Sequence, residues 1–137
     1  MDLKLREPEV ETLIRNGLPS LSDGGFSVEE VRQGYARVRL AYNSNMLRPG
    51  NVLSGPTLFT AADLAMYALV LSHIGPELMA VTANLNINFL SKARPGDVIG
   101  EAKLLKLGRR LAVMEVALSA GGEVVAHVTG SYALPLR

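Results

Sequence analysis

Hydrophobic and polar positions alternate in three different ways along the chain, and each way predicts a different element. Residues 81–89 read VTANLNINF, in which every second residue is apolar, as in an antiparallel strand with one face on a core. Residues 8–16 place apolar side chains three and four positions apart, which predicts a short helix. Residues 56–74 are apolar on nearly all sides, which predicts a long helix covered by other elements.

Further segments predict strands joined by turns that contain glycine. These segments are 26–33, 35–41, 98–107, 111–119 and 123–134. The segment 42–53 holds Pro, Gly and three Asn, and therefore predicts a loop. The predicted order is helix, two strands, loop, long helix and four strands. This order favours an α+β fold in which an antiparallel sheet curls around the long helix.

Length and composition are those of a globular chain. The sequence has 137 residues, 48% of them hydrophobic and 20% charged, which predicts one domain over residues 1–137 with a core of its own. Lys plus Arg number 14 against 13 for Asp plus Glu, a net charge of +1, so we expect neither nucleic acid nor a membrane surface as a partner. The absence of cysteine excludes thiol chemistry and disulfides.

The location of the protein is predicted from what its apolar segments lack. The charged N-terminus, MDLKLREPEVETL, is not a secretory signal because it has no apolar stretch. The longest apolar segment, around residues 64–71, is shorter than the roughly 20 residues needed to span a bilayer. A cytoplasmic location is therefore expected.

One carboxylate interrupts the apolar helix. Asp63 lies in the middle of it, and burying an unpaired charge costs several kcal/mol, so the acid must reach a partner or be used chemically. Gly55 begins the helix, where free N–H groups and the positive end of the dipole can stabilise an oxyanion. Eight residues of helix separate the two by roughly 12 Å, so they could act on one carbonyl only from antiparallel helices of a homodimer.

Three stretches together carry a family resemblance over residues 25–134. They are SGPTLFTAADLAMYA, NLNINFLSKARPGD and LLKLGRRLAV. The chain resembles the hotdog-fold acyl-CoA thioesterases, and among them the phenylacetic-acid-degradation type. That family has His-Gly-Gly at the start of the helix and an acidic residue two turns later. Here the same frame reads Ser54, Gly55 and Pro56, followed by Asp63.

The resemblance implies a role for each residue of this frame. Asp63 would be the catalytic carboxylate, either as nucleophile or as general base, and the Gly55 N–H would polarise the thioester carbonyl. Ser54 stands in the position of the family histidine. Arg48 falls where relatives often carry an Asn or Gln that holds the attacking water or the carbonyl. Thr82 falls where some relatives have a serine that contacts the same water.

The resemblance also indicates where the substrate would bind. Arg109 and Arg110 beside a glycine turn, with Lys106, are candidates for the phosphates of coenzyme A. Tyr67, one turn after Asp63, and Phe59 are candidates for the acyl pocket. No metal or redox cofactor is implied.

The implied function is hydrolysis of acyl-CoA to a carboxylic acid and free CoA, with a homodimer as the catalytic unit and a homotetramer as the expected assembly. Two other functions are compatible with the sequence. Ser54 and Arg48, which depart from the family pattern, favour an acyl-CoA-binding accessory protein without catalysis. A dehydratase or hydratase of the same fold would need a histidine paired with the acid, and none lies near Asp63 in sequence.

Overall fold

The computed structural model describes residues 2–18 and 25–136. The remaining residues, 1, 19–24 and 137, belong to the predicted domain but lie outside the described part of the chain. The helices are α1 (Glu7–Gly17) and α2 (Gly55–Ile74). The strands are β1 (Phe26–Arg32), β2 (Tyr35–Leu40), β3 (Leu47–Arg48), β4 (Val52–Leu53), β5 (Val81–Phe89), β6 (Val98–Leu107), β7 (Leu111–Ala120) and β8 (Glu123–Ala133).

Six strands form one antiparallel sheet around α2, in the order β1-β2-β6-β7-β8-β5. Glycines allow the helix to lie close to the sheet. A Cβ on Gly100 of β6 would lie 3.1 Å from the Cβ of Ala65 and 3.3 Å from the carbonyl oxygen of Ala61, both on α2. The predicted architecture, an antiparallel sheet wrapped around a long central helix, is confirmed.

Helix α2 begins one residue before its predicted start and is much longer than its most apolar segment, residues 64–71. A window of 18 residues within this 20-residue helix has a mean hydropathy of 1.4, so by length and composition the helix could cross a membrane. However, 72% of this window is buried inside the fold, as expected for a core helix that a sheet surrounds. Residues 64–71 alone are too short to span a bilayer, whereas the whole of α2 is long enough to do so.

The predicted loop at 42–53 is wrong in part. A single 3₁₀ turn at Ser44–Met46 is followed by β3 and β4, which pair with each other as a small hairpin. Asn51 in its turn has φ 58°, a conformation that Asn tolerates better than most residues. The Ser54 N–H then donates to the carbonyl oxygen of Met46 (2.8 Å), which fixes the entry into α2.

Strand β5 departs most from its predicted pattern. It lies at the edge of the sheet, and no residue in it is buried in the single chain. A bulge between Thr82 and Asn84 breaks the alternation that the sequence shows. Thr82 pairs with Tyr132, while Leu85 pairs with Gly130 and Ile87 with Val128, so Thr82 shares the helix-facing side with the apolar residues instead of opposing them.

Candidate active site

Within the described part of the chain, the Asp63 carboxylate is hydrogen-bonded through one of its two oxygens. Its Oδ1 accepts hydrogen bonds from the Thr82 Oγ1 hydroxyl at 2.7 Å and from the Tyr132 hydroxyl at 2.8 Å. No residue in the described ranges donates to Oδ2. Asp63 is half-buried, less than its position in an apolar helix suggested. The arrangement fixes the carboxylate in one orientation and leaves Oδ2 available to water or substrate.

The β5 bulge brings Thr82 to this site. In an unbroken strand, Thr82 and Leu85 would project from opposite faces because they are three residues apart. The extra residue at the bulge puts both on the face toward α2, where Thr82 reaches Asp63. Thr82, a candidate from the sequence, thus contacts Asp63, and this contact depends on a feature that the alternating sequence does not reveal.

Tyr132 is a site residue that the sequence reasoning missed. It lies in β8, is only 2% exposed, and stacks on Tyr67 with ring centroids 5.8 Å apart. Burial raises the pKa of Tyr132, and the nearby Asp63 carboxylate raises it further, so the hydroxyl remains protonated and donates. The available signal was a tyrosine among buried apolar positions of a strand, because a buried phenol needs a hydrogen-bond partner.

Tyr67 packs against the Tyr132 ring. Its hydroxyl donates to the carbonyl oxygen of Leu78 at 3.0 Å, and burial followed by the Asp63 carboxylate raises its pKa. The side chain is 8% exposed. Within one chain, therefore, Tyr67 contacts Tyr132 and the backbone, and its predicted place in the acyl pocket remains a prediction.

The start of α2 presents one free donor. Ser54 caps the helix: its Oγ accepts from the Thr57 N–H at 3.2 Å, and its carbonyl oxygen accepts from the Leu58 N–H at 3.2 Å. Pro56 has no N–H. The Gly55 N–H donates to no residue in the described part of the chain. It is therefore an unpaired amide at the positive end of the helix dipole.

Two cavities meet at Gly55. One has a volume of about 450 Å³, and its lining includes Gly55, Arg48 and Lys92. The other, of about 480 Å³, is lined by Gly55, Pro56, Phe59, Thr60 and Phe89. Phe59 and Phe89 are 44% and 56% exposed in the single chain. Ser54, Arg48 and Phe59, all predicted from the sequence, therefore collect around Gly55.

The two halves of the predicted site remain apart within one chain. Gly55 and Asp63 lie on the same unbroken helix, eight residues and roughly 12 Å apart. Thr82 and Tyr132 are at the Asp63 half, whereas the cavities are at the Gly55 half. Neither half alone offers both a positioned carboxylate and a free oxyanion donor.

The cations proposed for coenzyme A lie at the Asp63 end of the sheet. Lys106 is near the end of β6, and Arg109 and Arg110 are in the turn before β7. Leu111, the residue after this turn, pairs with Ala133 on β8. Ala133 is next to Tyr132, which pairs with Thr82 on β5. All three cations are exposed.

Both histidines of the chain are engaged elsewhere. His73 is buried in α2, where its Nδ1 lies 2.8 Å from the carbonyl oxygen of Leu69 and its Nε2 accepts from the Gly34 N–H at 2.8 Å. His127 lies 3.4 Å from Glu115. Within the described residues of one chain, neither histidine contacts Asp63. Among the described residues, no group of three His, Asp or Glu side chains is placed to hold a metal ion.

Comparison with known proteins assigns the family. The sequence profile of the Thioesterase superfamily matches residues 50–127, which include Gly55, Asp63 and Thr82 but not Tyr132. The chain therefore belongs to this superfamily, and the predicted resemblance is confirmed. A "putative esterase" of Saccharolobus solfataricus is 32% identical over 94 residues, 68% of this chain and 61% of that relative's length. Family and relatives together support a hydrolase.

Solved structures show the same fold. A "putative thioesterase" from Silicibacter sp. TM1040 has a TM-score of 0.87 and 38% identity, over 98% of this chain and 95% of its own. The PaaI protein from the phenylacetic acid degradation operon of E. coli has a TM-score of 0.81 and 21% identity, over 93% of this chain and 91% of its own. At that identity the second likeness concerns the fold alone.

Proposed function

We propose that the protein is an acyl-CoA thioesterase that hydrolyses RC(O)–S–CoA to a carboxylic acid and free CoA. The observation that carries the proposal is the Asp63 carboxylate, held through Oδ1 by two hydroxyl donors with Oδ2 left open. A positioned carboxylate with one free oxygen can take a proton from water or attack a carbonyl. Membership of the Thioesterase superfamily supports the same chemistry.

The reaction would proceed at a carbonyl whose oxygen accepts from the Gly55 N–H. With Asp63 as general base, Oδ2 takes a proton from water as the water oxygen attacks the carbonyl carbon. The resulting oxyanion is stabilised by the Gly55 N–H and the helix dipole. The C–S bond then breaks, and the departing thiolate takes the proton that Oδ2 removed from water.

With Asp63 as nucleophile, Oδ2 attacks the carbonyl carbon, the C–S bond breaks and the CoA thiolate leaves, which forms an acyl–Asp63 anhydride. Water then hydrolyses the anhydride, and the thiolate takes a proton released in that hydrolysis. Label found in Asp63 after a single turnover in ¹⁸O-water establishes this route, because water that attacks the Asp63 carbonyl of the anhydride leaves its oxygen on that carboxylate, whereas the general-base route leaves Asp63 unlabelled.

A homodimer would complete the site. Among the strands that the structure describes, β5 pairs with β8 alone, so its outer edge can offer backbone groups to another chain. Val81 at one end of β5 and Phe89 at the other are 55% and 56% exposed. A second copy placed along this edge, with its α2 antiparallel, would bring its Gly55 beside Asp63 of the first copy. The further assembly into a homotetramer remains a prediction.

The test is release of free thiol from a panel of acyl-CoA esters by the native protein and by Asp63→Asn. This variant keeps the hydrogen-bonding shape of the side chain but can neither accept a proton from water nor act as a nucleophile. We expect turnover of some esters, and a fall of roughly 100-fold or more in the variant. Native protein and variant that are equally inert, while both bind CoA esters, would instead establish an accessory binding protein. Equal thermal melting temperatures serve as the control for folding.

A further inference from the structure

Helix α1 has two faces with different partners. Val10 and Ile14 are fully buried and belong to the hydrophobic core. Glu7, Glu11 and Arg15 are spaced four residues apart, so they form one line along the helix surface. These three side chains are partly buried, and each contacts the backbone of strand β1. We call Glu7, Glu11 and Arg15 the polar row.

The two carboxylates of the polar row accept hydrogen bonds from the backbone of β1. Glu11 Oε1 accepts from the Val28 N–H at 2.8 Å, and Glu7 Oε2 accepts from the Val31 N–H at 2.8 Å. The hydrogen bond from Val31 is the largest cause lowering the pKa of Glu7, so this carboxylate is charged at neutral pH and acts as an acceptor only. Each carboxylate thus satisfies an N–H group that would otherwise bond to a neighbouring strand.

The cation of the polar row takes the complementary part. The Arg15 guanidinium donates to the carbonyl oxygen of Phe26 and lies 4.5 Å from the centre of the Phe26 ring. Its Nε is 3.6 Å from Glu11 Oε2, which joins it to the carboxylate one turn earlier. The row therefore offers acceptors to N–H groups of β1 and a donor to a carbonyl group, as the backbone of a paired strand would do.

The spacing of the polar row matches the spacing of a strand. As β1 advances from residue 26 to 28 to 31, the partners on α1 step back from 15 to 11 to 7. Four residues of helix rise roughly 6 Å, and two residues of strand rise about 7 Å. Val28 and Val31 are three residues apart, so in an unbroken strand their N–H groups would point to opposite edges. The bulge between Val28 and Glu30 adds a residue and turns both toward α1.

The two edges of the sheet therefore differ. The described strands end at β1 on one side and at β5 on the other. An edge with unpaired N–H and C=O groups can accept a strand from another molecule. A sheet that offers two such edges can add copies at both ends and grow without limit, whereas a sheet that offers one forms a closed pair. The polar row occupies the β1 edge and leaves β5 as the edge open to pairing.

We propose that α1 acts as a surrogate strand that closes the β1 edge against pairing with a second copy of the chain. The inference goes beyond the proposed function, because it concerns assembly and would stand if the chain hydrolysed no thioester. Without the polar row, α1 is held by its apolar face alone and opens more often. The Val28 and Val31 N–H groups then become available to the β1 edge of another copy, and copies joined at β5 would add to each other end to end.

The experiment compares Glu7→Ala/Glu11→Ala with the native protein by sedimentation velocity over a range of protein concentrations. We expect the weight-average mass of the variant to rise about two-fold or more above the native mass as concentration increases. The matched control, Asp2→Ala/Glu9→Gln, removes the same two negative charges from exposed positions and keeps an acceptor for the Arg6 N–H. Its mass should equal the native mass at every concentration.

Amide hydrogen exchange identifies the edge that is used. In the alanine variant, Val28 and Val31 should exchange faster than in the native protein at low concentration and regain protection as the mass rises. Glu7→Gln/Glu11→Gln keeps a carbonyl acceptor in each side chain and should associate less than the alanine variant. Cooperative melting is the control for folding, and the glutamine variant replaces an alanine variant that does not fold. A folded variant that keeps the native mass, or one that grows while Val28 and Val31 stay unprotected, would overturn the proposal.

Discussion

The two halves of the site on α2 are built in opposite ways. At the Asp63 half, one chain supplies every contact: Thr82 and Tyr132 hold the carboxylate, and Tyr67 packs behind them. At the Gly55 half, the amide is unpaired and aromatic rings stand half-exposed around open cavities. The chain thus orients the Asp63 carboxylate by itself. The Gly55 N–H, in contrast, is left accessible to substrate or to a second subunit.

This difference indicates which changes should be severe. Asp63 has a fixed orientation before any partner arrives, so its surroundings can be tested one hydrogen bond at a time. Gly55 contributes a backbone atom, so only a change that removes the N–H tests its role. The most severe change is the removal of the carboxylate itself, with the loss of roughly 100-fold or more expected for Asp63→Asn.

The largest further effect is expected at Gly55. Gly55→Pro removes the N–H at a helix position that accepts proline, and the extended Ser54 before it suits a following proline. We expect kcat to fall by about 100-fold, as for loss of an oxyanion donor. Gly55→Ala keeps the N–H, and its Cβ would lie 3.5 Å from the Phe89 ring, an ordinary contact. Steady-state kinetics in which both variants lose activity equally would argue against the amide as donor.

A smaller effect is expected at the hydroxyl groups that hold Asp63. Tyr132→Phe keeps the ring stacked on Tyr67 but removes one hydrogen bond to Oδ1, and Thr82→Val removes the other. Each should lower kcat by roughly 10-fold, the value of a hydrogen bond to a charged group. The double variant should lose more than either single variant. If Tyr132→Phe is as active as the native enzyme, the orientation of Asp63 does not depend on Tyr132.

The smallest effect concerns stability and lies at the other end of α2. Burial lowers the pKa of His73, so the folded state favours the neutral ring that accepts from the Gly34 N–H. As pH falls below the usual histidine value near 6.5, the unfolded chain binds this proton first, and stability is lost. The melting temperature should fall from pH 7.5 to 5.5, and less so in His73→Gln. Parallel curves for the two proteins would contradict this role.

The fold and half of the site could be predicted because their signals are local. The apolar helix, its single carboxylate and the glycine at its start are visible within twenty residues of sequence. The bulge in β5 could not be predicted, because residues 81–89 alternate without interruption and the extra residue appears only in the pairing with β8. Tyr132 was missed for a related reason. It is 69 residues from Asp63, and only the register of β5, β8 and α2 brings them together.

The residues that line the cavities at Gly55 also show that only local sequence signals could be used. Phe59 and Arg48, both candidates from the sequence, line cavities that include Gly55, to which they are close in sequence, and their roles remain predictions. Lys92, from the segment after β5, lines the same cavity as Arg48 and Gly55, so its position depends on how that segment packs beside the β3–β4 hairpin. The Leu53 N–H donates to the carbonyl oxygen of Ala93 at 2.8 Å, a contact that joins these segments and has no local sequence signal.

The central claim is that Gly55 of one chain and Asp63 of another form each site, and hybrid dimers test it most directly. Two affinity tags allow isolation of dimers that pair Asp63→Asn with Gly55→Pro, and of dimers that pair the native chain with the double variant Asp63→Asn/Gly55→Pro. With shared sites, the first hybrid has one intact site and about half the native thiol release, and the second has none. An inactive first hybrid and a half-active second hybrid would place each site within a single chain and contradict the account.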